Sequence, residues 1–175
     1  MDLSKYIRNV PDWPKKGIQF KDITTLCREH APFKESCDRI AERYKGKGIT
    51  KVVAIEARGY VFGGVVAYLL GAGFVLIRKP GKLPYTTISE SYELEYGTDS
   101  IHMHIDAISE GDKVLVSDDL LATGGTAKAA CKLVEQTGGS VEGVAFVIEL
   151  TGNLHGREKL RGYEVFSLVK IPVEE

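Results

Sequence analysis

The stretch "VLVSDDLLATGGTAKAA", residues 114–130, runs from apolar residues through two adjacent acids to threonine and glycine, and then to a run of small residues. Val114–Val116 has the continuous apolar character of a strand covered on both faces. Ala122–Thr126 reads as a turn, and Ala127, Ala130, Cys131 and Val134 recur at helical spacing. A strand that enters a helix through such a turn offers free backbone N–H groups and the positive end of the helix dipole, which together receive an anion. Gly124 and Gly125 allow close approach, and Thr123 and Thr126 can add hydroxyl donors. The pattern GxxxxGK[ST] is missing because no lysine directly follows these glycines, which disfavours a P-loop that hydrolyses nucleoside triphosphates. Asp118 and Asp119 would repel an anion unless they address something neutral or cationic, and a sugar diol fits, with or without a divalent metal.

Outward from this stretch, strands and helices alternate. "APFKESCDRIAERYKG" places Phe33, Cys37, Ile40, Ala41 and Tyr44 on one helical face. Val52–Ile55 is a short apolar strand followed by an apolar helix over about 60–70, and "FVLIRK" is another strand. "DSIHMHID" alternates Ile101, Met103 and Ile105 against His102 and His104, and "VEGVAFVIEL" and "YEVFSLV" add further strands. "PGKLPYTTISESYELEYG" is long, polar and aromatic, a mobile loop leading into a β segment and a candidate lid. The expected class is α/β, with a mainly parallel central sheet flanked by helices.

The 175 residues suit one domain, 1–175. With 23 basic and 24 acidic residues the net charge is −1, so no global field draws the chain to nucleic acid or to a membrane. Cys27, Cys37 and Cys131 lack metal-ligand spacing and read as reduced thiols. The N-terminus has no apolar leader and no run is long enough to span a bilayer, so a cytoplasmic location is expected. The His102/His104 pair has no further ligand nearby and reads as the wet face of a strand.

The apolar strand, two acids, two apolar residues and "ATGGT" together resemble the motif with which type I phosphoribosyltransferases bind phosphoribosyl diphosphate (PRPP). "PDWPKKGIQFKDIT", "RKPGKLP", "SYELEYG" and the closing "GREKL" at 156–160 extend the resemblance nearly end to end, toward the members that use adenine. Trp13, Lys16, Gln19 and Lys21 depart from residues common there. The resemblance implies the type I fold with a small N-terminal hood within residues 1–30 that recognises the base, and a flexible lid.

What it implies for single residues is as follows. Phe20 and Leu120 sandwich adenine, although Phe20 alone would read as a core aromatic. The backbone of Gln19 and Lys21 pairs with the purine edge, so a changed side chain there need not change the base. Asp118 and Asp119 hold the ribose, and Ala122, Thr123, Gly124, Gly125 and Thr126 hold the 5′-phosphate. Glu56, Ala57 and Arg58, joined through a cis Glu56–Ala57 peptide, face the diphosphate with Arg78, Lys79 and Lys82, a loop that by itself could equally be a solvated basic turn. Glu95 is the acid/base candidate, with Arg58 also catalytic and Tyr96 in the lid; from the residues alone, Glu95 could be a surface glutamate. Mg²⁺ is expected to bind through PRPP, diphosphate and water rather than directly to the protein, and the loop at 78–82 implies a homodimer. The implied reaction forms AMP and diphosphate from adenine and PRPP in purine salvage. A transferase for xanthine or hypoxanthine, or a non-catalytic PRPP-binding regulator, are the alternatives.

Overall fold

The computed structural model describes residues 1–94 and 96–174. A short 3-10 turn at Leu3–Tyr6 leads into the antiparallel ribbon β1 (Arg8–Pro11) and β2 (Gln19–Asp22). The prolines had suggested an irregular start; a ribbon forms because they lie at strand ends or in the connecting loop, where no ladder hydrogen bond is lost. Helix α1 (Thr24–Cys27) and helix α2 (His30–Tyr44) follow. Pro32 falls in the first turn of α2, where its missing N–H has no partner to lose. Then come β3 (Lys51–Ile55), α3 (Arg58–Leu70) and β4 (Gly73–Ile77), with α3 closed by left-handed Gly71.

β5 (Thr87–Glu93) and β6 (Thr98–His104) pair as an antiparallel ribbon where a mobile loop was expected to occupy much of the segment. β7 (Lys113–Leu121) continues past the expected Val116, so both aspartates lie on the strand itself. Helix α4 (Gly125–Gln136), β8 (Ser140–Gly152), the single turn α5 (Gly156–Lys159) and β9 (Val165–Val173) complete the chain.

The central sheet has five strands in the order β4-β3-β7-β8-β9, all parallel. Alternate residues serve opposite faces, as the period of a strand requires. Val53, Val114, Val116, Val144 and Phe146 meet α4 and the buried Ile101 and Met103 of β6. Val52, Leu115, Ala145 and Val147 meet α2 and α3 through Ile40, Tyr44, Phe62 and Val66. From β3 the chain steps outward to β4 and then returns to place β7 on the other side of β3. The loops leaving β3 and β7 therefore diverge and open a crevice at the carboxyl ends of the strands, the usual ligand position in such sheets.

Tyr44 packs so closely on Gly143 that a Cβ at 143 would lie 2.6 Å from its hydroxyl, and that hydroxyl has no hydrogen-bond partner among the described residues. Tyr44→Phe should therefore leave stability unchanged or raise it by about 1 kcal/mol, because an unsatisfied buried hydroxyl is removed while the ring stays. A fall in the denaturant midpoint would reveal a partner for that hydroxyl.

Candidate active site at the divergence of two loops

The turn after β7 is shaped by backbone. Gly124 caps α4 with φ 86°, and a Cβ there would stand 2.5 Å from the carbonyl oxygen of Gly156, so only glycine fits. No side chain caps α4 and no acid sits in its first turn, leaving the first amides free to meet an anion. The turn Ala122–Thr126 thus has the geometry expected of a phosphate cradle. Tyr92 and Glu93 of the β5–β6 ribbon lie beside it, within 4 Å of where a Gly125 Cβ would project.

The turn after β3 is joined to it by charge. The Glu56–Ala57 peptide is cis, and Arg58 opens α3. Arg58 Nε donates to Asp119 Oδ2 at 2.7 Å while its guanidinium lies 5.4 Å from the centre of the Phe20 ring. The Asp119 side chain is almost wholly buried. Asp118 keeps some exposed surface, yet its carboxyl is enclosed: one oxygen accepts the Asp119 N–H at 2.8 Å and lies 2.8 Å from where a Gly59 Cβ would be. Burial first, and the Asp119 carboxylate second, push the Asp118 carboxyl well above the usual carboxylate range. These two acids share one cation, Arg58, and so leave room for a further positive or hydroxyl-bearing group.

Residues 78–82 are less free than the sequence suggested. The Glu56 carboxylate accepts the Lys79 N–H at 2.5 Å and an Arg78 guanidinium N–H at 3.3 Å. Those bonds, the Lys79 amide foremost, hold Glu56 below its ordinary pKa. Lys79 donates from Nζ to the Tyr92 hydroxyl at 2.8 Å and to the Asp99 carboxylate. Lys82 is exposed. Of the three cations, two are engaged within the protein and one faces solvent.

In the hood, Phe20 shares a ribbon face with Val10, and Trp13 meets the Phe20 ring edge-on at 4.5 Å. Val10, Trp13, Phe20, Asp22, Thr24 and Arg58 line a cavity of about 340 Å³. Gln19 and Lys21 project from the opposite ribbon face, where Asn9 donates to Gln19 Oε1 at 2.8 Å and accepts from Lys21 Nζ at 2.7 Å. Leu120 is half-buried on β7 and packs toward the α2–α3 side of the sheet. Tyr96 is exposed, and Glu95 lies outside the described residues. Trp13 as a cavity wall, and Tyr92 and Asp99 as partners of Lys79, were not foreseen. Tyr92 shares one face of β5 with Ile88, but nothing in the sequence ties it or Asp99 on β6 to Lys79.

Among the described residues no three His, Cys, Asp or Glu side chains group as a metal site, all three cysteines are free, and no helix is long and apolar enough to cross a membrane.

Residues 28–174 match the family described as Phosphoribosyl transferase domain. Over 173 residues the chain is 56% identical to an adenine phosphoribosyltransferase of Clostridium kluyveri, covering 99% of this chain and 100% of that one. Its fold is similar to the crystal structure of adenine phosphoribosyltransferase from Thermoanaerobacter pseudethanolicus, with a TM-score of 0.93, 51% identity and coverage of 97% and 98%. It is also similar to the APRTase of Giardia lamblia complexed with 9-deazaadenine, with a TM-score of 0.91, 37% identity and coverage of 97% and 96%.

The enclosed Asp118 sets a measurable stability signature. A carboxyl whose pKa is raised by folding costs stability once pH climbs above its unfolded value, and the cost vanishes below that value. Asp118→Asn should be more stable than the parent at pH 7, with the difference fading as pH falls below the value of an unfolded aspartate, about 4. Denaturation curves at neutral and acid pH check this, and a less stable variant at pH 7 would contradict the burial argument.

Proposed function

The chain belongs to the phosphoribosyl transferase family, and on that premise we propose that it transfers the 5-phosphoribosyl group of PRPP to N9 of adenine, releasing AMP and diphosphate in purine salvage. The observation that carries this reading is Arg58, which touches Asp119 at 2.7 Å and covers Phe20 at 5.4 Å, so that base, ribose and phosphate positions adjoin in one crevice.

In the proposed arrangement the amides of Ala122–Thr126 and the Thr123 and Thr126 hydroxyls receive the 5′-phosphate. Asp118 and Asp119 take the ribose hydroxyls, and Arg58 leaves Asp119 as they do so. Phe20 and Leu120 enclose adenine, while the Gln19 and Lys21 backbone reads its edge. The outward projection of the two side chains supports such a reading. Backbone groups of Glu56–Arg58 and the basic side chains of Arg78, Lys79 and Lys82 face the diphosphate.

The N9–C1′ bond forms as the bond from C1′ to the diphosphate oxygen breaks, and positive charge develops on the ribose. The anchored 5′-phosphate orients C1′, so binding energy far from the reacting atom is used at it. Glu95 manages the purine proton, and the lid with Tyr96 excludes water that would otherwise hydrolyse PRPP. Two acids with one arginine fit a hydrated Mg²⁺, which Asp118 and Asp119 would hold through water and sugar oxygens. When bound it neutralises charge on the leaving diphosphate.

We read residues 1–175 as one catalytic domain working in the cytoplasm as a homodimer. Val61, Tyr68 and Leu69 of α3 and Phe74 and Leu76 of edge strand β4 are exposed apolar residues that a second copy would cover.

The direct test is AMP formation from adenine and PRPP with Mg²⁺, set against hypoxanthine and xanthine; product from either of those bases but none from adenine would overturn the assignment. Asp119→Asn should lower turnover by about a hundredfold while the protein stays folded, since ribose positioning is lost. Glu95→Gln should lower kcat by at least about a hundredfold with little change in the KM for PRPP. An unaltered kcat would remove Glu95 from proton transfer.

A further inference from the structure

The "GREKL" segment has no part in the chemistry above, yet it lies against the back of the turn Ala122–Thr126. A Cβ on Gly124 would stand 2.5 Å from the Gly156 carbonyl oxygen. Reciprocally, a Cβ on Gly156 would overlap the Ala122 carbonyl oxygen and lie 2.9 Å from Leu121 Cδ1. The two glycines interlock backbone on backbone. A turn with no capping side chain and two adjacent glycines has much conformational freedom to lose, so its shape must be imposed from outside.

What imposes it is the residue after Gly156. Arg157 donates from Nε to Glu149 Oε1 at 2.9 Å, from Nη2 to Glu149 Oε2 at 2.5 Å and from Nη1 to the Val165 carbonyl at 3.0 Å. Ser167 also donates to Glu149, whose residue is only 5% exposed. Glu149 stands on β8 directly across from Leu121, the last residue of β7 before the turn. A four-residue helix has no stability of its own, so α5 is held by this fork at one end and by fully buried Leu160 at the other.

We propose that Glu149 and Arg157 are positioning residues whose ion pair presses the Gly156 backbone against Ala122 and Gly124, keeping the α4 amides aimed at the 5′-phosphate of the substrate. The inference rests on the reading of Ala122–Thr126 as the phosphate cradle. Neither side chain touches the ligand. Loss of the pair leaves Leu160 in the core, so the fold survives while the turn loosens.

The test compares the affinities of AMP and adenosine, whose ratio isolates the contribution of the 5′-phosphate, by calorimetry on the full chain. In Glu149→Gln and Arg157→Leu that ratio should shrink by about tenfold or more, as misplacement of positioned binding groups produces, with adenosine affinity unchanged. Arg157→Lys, which keeps the charge without the fork, should fall between them and the parent. Gly156→Ala should act in the same direction by pushing on Ala122. A cooperatively melting Glu149 or Arg157 variant that keeps the parental ratio, or that weakens both ligands equally, would overturn the proposal. Should the parent itself bind AMP no more tightly than adenosine, the phosphate-cradle reading would fall instead. If Glu149→Gln and Arg157→Leu do not fold, Arg157→Lys, which loses the fork and keeps the charge, carries the same comparison, and an unchanged ratio there counts against the pair's role.

Discussion

The ion pair between Arg58 and Asp119 holds the two halves of the crevice in one relation. Parallel topology sends the loops after β3 and β7 in opposite directions; β3 and β7 pair side by side and Gly59 packs on Asp118, and the ion pair adds a charged link across the crevice that opens between the loops. A guanidinium suits this position because it can pair with a carboxylate and cover an aromatic ring at once, which an ammonium does less well. In the proposed function its place is provisional. A ligand that engages Asp119 must compete with Arg58, and a base that stacks on Phe20 must do the same, so one side chain feels both substrates.

Electrostatic tension runs through the same region. Asp118 is enclosed beside another acid, and burial together with the Asp119 charge disfavours its ionised form. The basic loop shows the reverse pattern. Arg78 pairs with Glu56 and Lys79 with Asp99, so part of the positive charge in that loop is already matched, while Arg78 Nε is buried with no partner among the described residues. Acid in excess lies on one side of the crevice and paired base on the other, the sides that in the proposed function face the sugar hydroxyls and the phosphates.

Much of this was legible in the sequence because the central strands are apolar on both faces and the helices are periodic. The composite at 114–130 marked the turn after β7 and its two acids, since every residue of that motif lies within one strand, one turn and one helix. The β5–β6 ribbon was harder: Ser89, Glu90 and Ser91 make both faces of β5 look polar, and the apolar signal sits in Ile101 and Met103 on its partner. The hood looked irregular because Pro11 and Pro14 interrupt it, although pairing across its ribbon needs only four residues a side. Glu149 with Arg157, and Lys79 with Asp99, were beyond reach. Charged residues eight or twenty positions apart declare a partnership only once the chain has folded.

The outward-facing trio of Asn9, Gln19 and Lys21 has a consequence for variation among relatives. In the proposed function Gln19 and Lys21 offer the base only their main chain, and residues so placed can drift in chemistry without altering what is recognised, so composition there would be a poor guide to ligand choice. Reshaping selectivity would call instead for lengthening or shortening the connection between β1 and β2, which displaces the peptide groups themselves.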